Sequence, residues 1–244
     1  MAEWWADIQA QFDLNFIQKD RWLSLFRGLE NTLLITLFAA IIGIILGIIV
    51  AAVRTTYDNN GESMKFQKSF GYYILGFFNV VCKIYLTIIR GTPVVVQLLI
   101  IYFIIFANST NDLLVATLAF GINSGAYVAE ILRGGIMSID KGQFEAGRSI
   151  GFNYVQTMLY VIIPQVFKNV LPTLLNEFIV LLKETSVAGY VGIMDLTRAG
   201  NSIRGVTFSA FMPLIAVALI YLTIVMILTW LVGKVERRLR KSER

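Results

Sequence analysis

Four ionisable residues, Arg90, Glu130, Glu177 and Lys183, stand within or at the edges of apolar stretches of this 244-residue chain. A charge in such a segment is costly, so by default it lines a polar cavity or pairs with another charge. Glu130 follows Asn123 by two helical turns and Tyr127 follows it by one, so the three make one polar stripe, expected to face inward. Asn176 and Glu177 follow Pro172, whose missing N–H frees a carbonyl that a polar neighbour or water must satisfy. Plainer readings stand beside these. Glu130 and Arg133 have the i,i+3 spacing of an intrahelical pair, Arg90 would anchor a broken helix, and Gln97 and Asn123 would be interhelical hydrogen-bonding residues worth about 0.6 kcal/mol each.

Composition removes whole classes of chemistry. With no histidine, His-based acid–base catalysis and His metal ligation are ruled out. The lone cysteine, Cys82, admits no intramolecular disulfide and no thiolate cluster, and it reads as a buried packing residue. No metal site and no catalytic residue are expected, because the carboxylates are scattered over different apolar segments. No G-x-x-x-x-G-K-[ST] occurs; Gly233-Lys234 is followed by Val235 at the end of an apolar run, so the chain has no such phosphate-cradling loop.

The elements that must position these residues are membrane helices. The chain is 57% hydrophobic and 15% charged, with a mean hydropathy of +0.69. Charge-free runs extend over Leu33–Val53, Gly91–Asn111, Leu113–Ala129 and Gly205–Gly233. Roughly 20 such residues at about 1.5 Å rise cover a hydrocarbon core. None shows the alternation of a barrel strand, so the predicted fold class is all-α integral membrane, with about five transmembrane helices. The spans are expected near Gly28–Val53, Asn79–Ala107 with a kink at Pro93, Asp112–Met137, Val166–Leu182 and Ser209–Gly233; a turn back at Pro93, giving six spans and a worse loop assignment, is the alternative. A turn is expected at Asp58-Asn59-Asn60-Gly61, an interfacial elbow over Ser69–Phe78, and a close helix crossing at Gly43 and Gly47.

Residues 1–27 mix Trp4, Trp5, Ile8, Phe12, Trp22, Leu23 and Phe26 with charges, as an interfacial segment does, and Glu3 and Asp7 argue against a secretory signal. With the N-terminus outside, Arg54, Lys65, Lys68, Arg133, Lys141, Arg148 and the basic C-terminus, including the tail 241–244, all fall on the cytoplasmic side. The loop Ala107–Asn111 has no Lys or Arg. The pI near 9.3 therefore reflects a cytoplasmic anchor, and nucleic acid is not an expected partner.

Between the third and fourth spans, residues 140–153 are amphipathic and too polar to insert. A short helix from about Gln143 to Ile150, stopped by Gly151, is expected to lie along the cytoplasmic face and offer Phe144, small residues and charges to a partner; a plain surface loop is the alternative. The order Glu145-Ala146-Gly147 through Gly151 resembles the E-A-A-x-x-x-G motif of bacterial ABC importer permeases, with Gly147 where a second alanine is usual. Further blocks resemble the polar amino acid branch of that family: Arg90-Gly91-Thr92-Pro93 with Gln97, Asn123 through Glu130 with Arg133-Gly134-Gly135, Ile163-Pro164-Gln165, Asn176-Glu177-Phe178, Lys183-Glu184-Thr185-Ser186 and Leu196-Thr197-Arg198-Ala199.

The resemblance implies a type I ABC importer-like permease fold over residues 28–240, in a bacterial inner membrane. It implies two copies of a partner ABC ATPase that binds ATP and Mg, and no cofactor on this chain. A second permease chain, identical or paralogous, and an external amino-acid-binding protein complete the implied assembly. Gln143, Phe144, Glu145, Ala146, Gly147 and Gly151 would form the ATPase coupling element. Arg90, Thr92, Gln97, Asn123, Tyr127, Glu130, Asn176, Glu177 and Lys183 would line the path of a small amino acid, with Glu177 and Asn176 toward its ammonium and Arg90 or amides near Thr92 toward its carboxylate. Thr185–Phe208 reads as an external gate or as a connecting loop. A channel or passive pore is the alternative from a different class; it would show a filter-like element and need no docking segment.

Overall fold

The structure is a computed structural model that describes residues 1–66 and 70–241. Lys68, Ser69 and the last three residues of the basic tail lie outside the described residues. Among the described residues every regular element is helical. The chain opens with α1 (Ala2–Phe12) and a π turn, Asp13–Ile17. Lys19 (φ 57°) and Asp20 (φ 51°) then take the left-handed backbone that redirects the chain into α2 (Trp22–Phe66). There follow α3 (Phe70–Gly91), α4 (Val94–Ile100) with a π turn at Ile101–Ile105, α5 (Asp112–Met137), α6 (Lys141–Ser149), α7 (Tyr154–Thr157), a π turn at Met158–Ile162, α8 (Ile163–Glu184), α9 (Leu196–Thr207) and α10 (Phe211–Lys241).

Five helical stretches among the described residues are long and apolar enough to cross a membrane: Trp22–Asn59, Phe70–Gly91, Asp112–Met137, Tyr154–Val191 and Phe211–Leu239. The third has the expected bounds. Three local expectations are corrected. Helix α2 runs on through Asp58-Asn59-Asn60-Gly61 instead of turning there; Tyr57 stacks on Tyr72 of α3 with ring centroids 6.1 Å apart, and Arg54 Nη1 donates to Asn79 Oδ1 at 2.9 Å, so packing outweighs the local turn preference. The described part of the expected elbow, Phe70–Phe78, is the first half of α3. The second span is therefore Phe70–Gly91 and not Asn79–Ala107. Its helix stops where Pro93 disfavours helical geometry at Thr92, and the chain restarts as the short apolar piece Val94–Ile105.

The chain forms two compact units. The first comprises Met1–Ala39, Val94–Phe120 and Ile179–Leu231, and the second comprises Ala40–Pro93, Gly121–Phe178 and the described residues from Val232 on. In the first, Phe16, Leu25, Leu196, Ala199, Ile203 and Val217 share one buried cluster. Helix α9 contributes Leu196, Ala199 and Ile203 from a single face, the periodicity of an amphipathic helix. Thr32 fastens its start: the hydroxyl donates to the Gly28 carbonyl at 2.9 Å and accepts from the Leu196 amide at 3.1 Å. Asn15, fully buried, donates to the Gln11 carbonyl at 2.8 Å and accepts from Thr207 at 2.8 Å, so residues before Trp22 are tied to α9 as well as carrying the exposed Trp4, Trp5 and Phe12.

In the second unit, α2 meets α5 along its glycines, as the Gly43–Gly47 spacing predicts. A Cβ on Gly43 would stand 2.9 Å from Ser124 Oγ, and one on Gly47 would overlap Val128. Opposite this seam Ile41, Ile44, Ile45, Ile48 and Ile49 are exposed, the surface a lipid-facing helix presents. Cys82 is buried with Val50, Leu86, Ala126 and Ala129, in keeping with a packing role.

Candidate functional site

The polar stripe on α5 is real but graded in depth. Asn123 is buried, whereas Tyr127 and Glu130 are half-buried. Glu130 is the hub of a charge cluster in the second unit. Its Oε2 lies 3.3 Å from Arg90 Nη1 at the end of α3, and its two oxygens accept from Arg133 Nε and Nη2, each at 3.2 Å. The intrahelical reading of Glu130–Arg133 and the anchoring reading of Arg90 therefore both describe contacts that exist. A carboxylate shared between two guanidiniums is strongly oriented, and Arg90 thereby ties the end of α3 to α5. Thr92 is exposed and its hydroxyl donates to the Ile88 carbonyl at 2.8 Å. Gln97 is buried, Asn176 exposed and Glu177 half-buried. Gln97 and Lys183 belong to the first unit; the other seven expected pathway residues belong to the second.

The segment between α5 and α8 forms the expected helix, α6, with Asp140 as N-cap accepting from the Gly142 amide at 2.6 Å. It ends before Gly151, whose φ of 86° is the left-handed conformation that releases the chain. The helical period divides its residues into two faces. Gln143, Glu145, Ala146 and Arg148 are exposed. Phe144 and Gly147, at i,i+3, turn inward: Phe144 packs against the cluster of Ile139, Ile162, Val166 and Val170, and Gly147 is buried against Thr157. The expectation that Phe144 and Gly147 are offered to a partner is thus corrected, since their side of α6 is already occupied by the chain itself. Gln165 Nε2 donates to Gln143 Oε1 at 3.3 Å, a further tie between α8 and α6.

A recess that sequence reasoning did not single out lies in the first unit, with a volume of about 580 Å³. It opens between the 3₁₀ turn Thr185–Val191 and α9, and Ser186, Tyr190, Thr197, Arg198, Asn201 and Ser202 face it. Beneath it Asp195 is fully buried as the N-cap of α9, accepting from the amides of Thr197 (2.9 Å) and Arg198 (3.3 Å). Burial pushes its carboxyl up from the ordinary value, against the pull of those backbone N–H groups. A smaller recess of about 250 Å³ contains Lys183, Leu214 and Tyr221 and shares Ser186 and Thr197 with the larger one. The segment read as gate or loop is therefore a packed turn and helix. Its signal in the sequence was an Asp cap ahead of apolar residues at 196, 199 and 203.

Comparison with known proteins places this geometry. The family described as "Binding-protein-dependent transport system inner membrane component" matches residues 69–241. The chain is 35% identical over 222 residues to the arginine transport system permease protein ArtQ of Bacillus subtilis, covering 90% of this chain and 94% of that protein. It is 36% identical over 221 residues to the glutamine transport system permease protein GlnP of Escherichia coli, covering 88% and 93%. A solved structure described as an amino acid ABC transporter with histidines aligns with a TM-score of 0.78 at 38% identity, over 91% of this chain and 98% of that one. An inward-facing MetNI methionine ABC transporter shares the fold, with a TM-score of 0.72 at 18% identity over 88% and 95%. A match over most of the chain, joined to five candidate spans and an exposed helix between the third and fourth, identifies the chain as a member of the binding-protein-dependent transport system inner membrane component family, a multi-pass membrane permease.

Proposed function

We propose that this chain is the permease subunit of an ATP-driven importer that moves a polar amino acid across a bacterial inner membrane. The observation that carries this reading is similarity over nine-tenths of the chain to permeases named for arginine and for glutamine transport. Two copies of an ATPase subunit would bind ATP and Mg and hydrolyse the nucleotide, a second permease chain would complete the membrane portion, and an external binding protein would deliver the substrate. Residues 28–240 form the permease domain in this reading, with the N-terminus outside and the C-terminus in the cytoplasm, as the Lys and Arg distribution supports. Reporter fusions at Met1 and Arg244 are expected to report opposite sides; two cytoplasmic termini would overturn that orientation.

Within the membrane Glu177 is the proposed partner of the substrate ammonium, with Asn176, Asn123, Tyr127 and Thr92 of the same unit as polar lining. The ammonium of an amino acid can be matched only by a carboxylate or by several acceptors, and Glu177 is a half-buried carboxylate on α8. The exposed face of α6, with Gln143, Glu145 and Ala146, is the proposed docking surface for the ATPase, held from behind by Phe144, Gly147 and Gly151. Reconstitution with ATPase and binding protein in lipid vesicles is expected to give ATP-dependent uptake of radiolabelled arginine or glutamine. Glu177→Gln is expected to lower that uptake about tenfold with the ATPase still bound, and unchanged uptake would remove Glu177 from this role. Uptake by the wild type without ATPase would favour a passive pore instead.

A further inference from the structure

We infer that Phe208 and Phe211, together with the apolar face of α1, form one anchor that seats the end of α9 in the headgroup–acyl boundary of the membrane; this rests on the five spans and not on what is transported. The observation that leads to it is a strained residue. Phe208 caps α9 in the left-handed region (φ 53°, ψ 19°), where a glycine would make the same turn without steric cost, yet its side chain is 94% exposed and gains little from packing within the chain. Strain at an idle side chain has nothing to offset it. Strain at a ring that enters lipid is offset by the burial of that ring. Phe211, the first residue of α10, is 70% exposed.

The second observation is where this ring sits. Thr207 Oγ1 donates to Oδ1 of the fully buried Asn15 at 2.8 Å, so the turn that carries Phe208 is fastened to the segment joining α1 to α2. Phe16, beside Asn15, shares a buried cluster with Leu196 and Ile203 of α9, and its ring centroid lies 5.1 Å from that of Phe12. Candidate spans begin at Trp22 and at Phe211, so two spans start from this one knot of contacts, which places it at a membrane boundary. There α1 is amphipathic: at about 100° per residue Trp4, Trp5, Ile8 and Phe12 fall within one sector of roughly 100°, and Glu3 and Asp7 fall outside it. Trp4, Trp5 and Phe12 are exposed, as Phe208 and Phe211 are. Exposed aromatic rings at the mouth of two spans match the interface, where such rings prefer to lie. The charged side chains of α1 are both acidic, so ring burial and not attraction to anionic headgroups holds the anchor in place.

The experiment uses the full chain in phosphatidylcholine vesicles, with Trp4, Trp5, Trp22 and Trp230 replaced by Phe and one reporter introduced by Phe208→Trp. Lipid brominated near the headgroup end of its acyl chains is expected to quench this reporter roughly twofold more than lipid brominated near the chain ends, and acrylamide in the water is expected to quench it weakly. A chain that keeps only Trp4 and Trp5 is expected to behave in the same way. Amide hydrogen exchange then separates an anchor from a turn. Phe208→Gly relieves the left-handed backbone, so with an idle side chain exchange over α1 and α9 would stay the same or slow; loss of the anchor is expected to speed it about fivefold, with Phe208→Trp at the wild-type rate. A reporter at position 208 reached by acrylamide and by neither lipid would mean a surface left in water. One shielded from both would mean a protein partner, such as a second copy of this chain. Either result, or unchanged or slower exchange in Phe208→Gly, would overturn the inference and leave the importer reading standing.

Discussion

Replacing Gly147 with Leu should cut ATP-driven uptake at least tenfold while leaving the chain inserted in the membrane. A Cβ at this position would stand 2.6 Å from Thr157 Cγ2 and 2.7 Å from its Oγ1, inside any van der Waals contact. Thr157 cannot give way easily. Its hydroxyl donates to the Asn153 carbonyl at 3.0 Å, and Asn153 and Gln156 close a reciprocal capping box at 2.9 Å on each side. The strain, about 1–3 kcal/mol for overpacking of this kind, must therefore be relieved by tilting α6 away from α7. The exposed face of α6, the proposed seat of the ATPase, would then be presented at the wrong angle, and a rigid seat is what transmission of nucleotide-driven movement requires. Substrate-stimulated hydrolysis and uptake, measured together in vesicles, should fall in step. Gly147→Ala should do less harm and should recover when Thr157→Ala is added, since the Thr157 Cβ alone would remain, at 3.2 Å. Full coupling in Gly147→Leu would refute the assignment of α6 as the coupling element. Gly151 is small for another reason: nothing lies within 4 Å of an added Cβ, and only its backbone angle excludes other residues.

Gly47→Leu should abolish the folded chain rather than its coupling. The crossing of α2 with α5 is closed on both helices by missing side chains. A Cβ on Gly47 would overlap Val128, and one on Gly125 would stand 2.9 Å from Leu46 Cβ and 2.9 Å from the Tyr85 hydroxyl oxygen. That hydroxyl donates to the Ile122 carbonyl at 2.6 Å, so its position is itself fixed. In lipid no hydrophobic force drives helices together, and close packing carries most of the association. An overpacking cost of about 1–3 kcal/mol, or more where backbones touch, takes a large share of the stability of such a pair. The detergent-solubilised variant should lose its monodisperse peak on size exclusion, whereas Ile48→Leu, on the exposed side of α2, should keep it. Partial recovery by Val128→Ala would locate the damage at this contact; an unperturbed peak for Gly47→Leu would show that the crossing tolerates separation.

How much of this was legible in the sequence follows from the range of the interactions involved. Helix α5, the stop at Gly151 and the Gly43–Gly47 seam depend on local period, backbone freedom and missing side chains, all of which adjacent residues display. The turn expected at Asp58–Gly61 failed because Tyr57–Tyr72 and Arg54–Asn79 reach across to α3 and hold α2 helical where local preference alone would end it. The Arg90–Glu130 contact joins residues 40 positions apart, and no spacing rule points from one to the other. The inward turn of Phe144 and Gly147 was open to a helical period, but which face meets the chain and which is exposed depends on where α7 packs. The Arg198 recess was hidden because it is made from a turn, a cap and a helix face, each ordinary by itself.

The π turn at Met158–Ile162 gives the second unit a property best described as phase. An α-helix advances about 100° per residue, so one residue added to a turn rotates everything beyond it by that amount relative to unbroken winding. Thr157 lies immediately before this widened turn and Ile162 and Val166 lie within or after it, yet all three support α6. Were the stretch wound as a plain α-helix, Thr157 and the apolar pair would point about 100° apart from their present directions, and α6 could rest on one or the other. The extra residue is what lets one continuous stretch of chain hold α6 through both contacts.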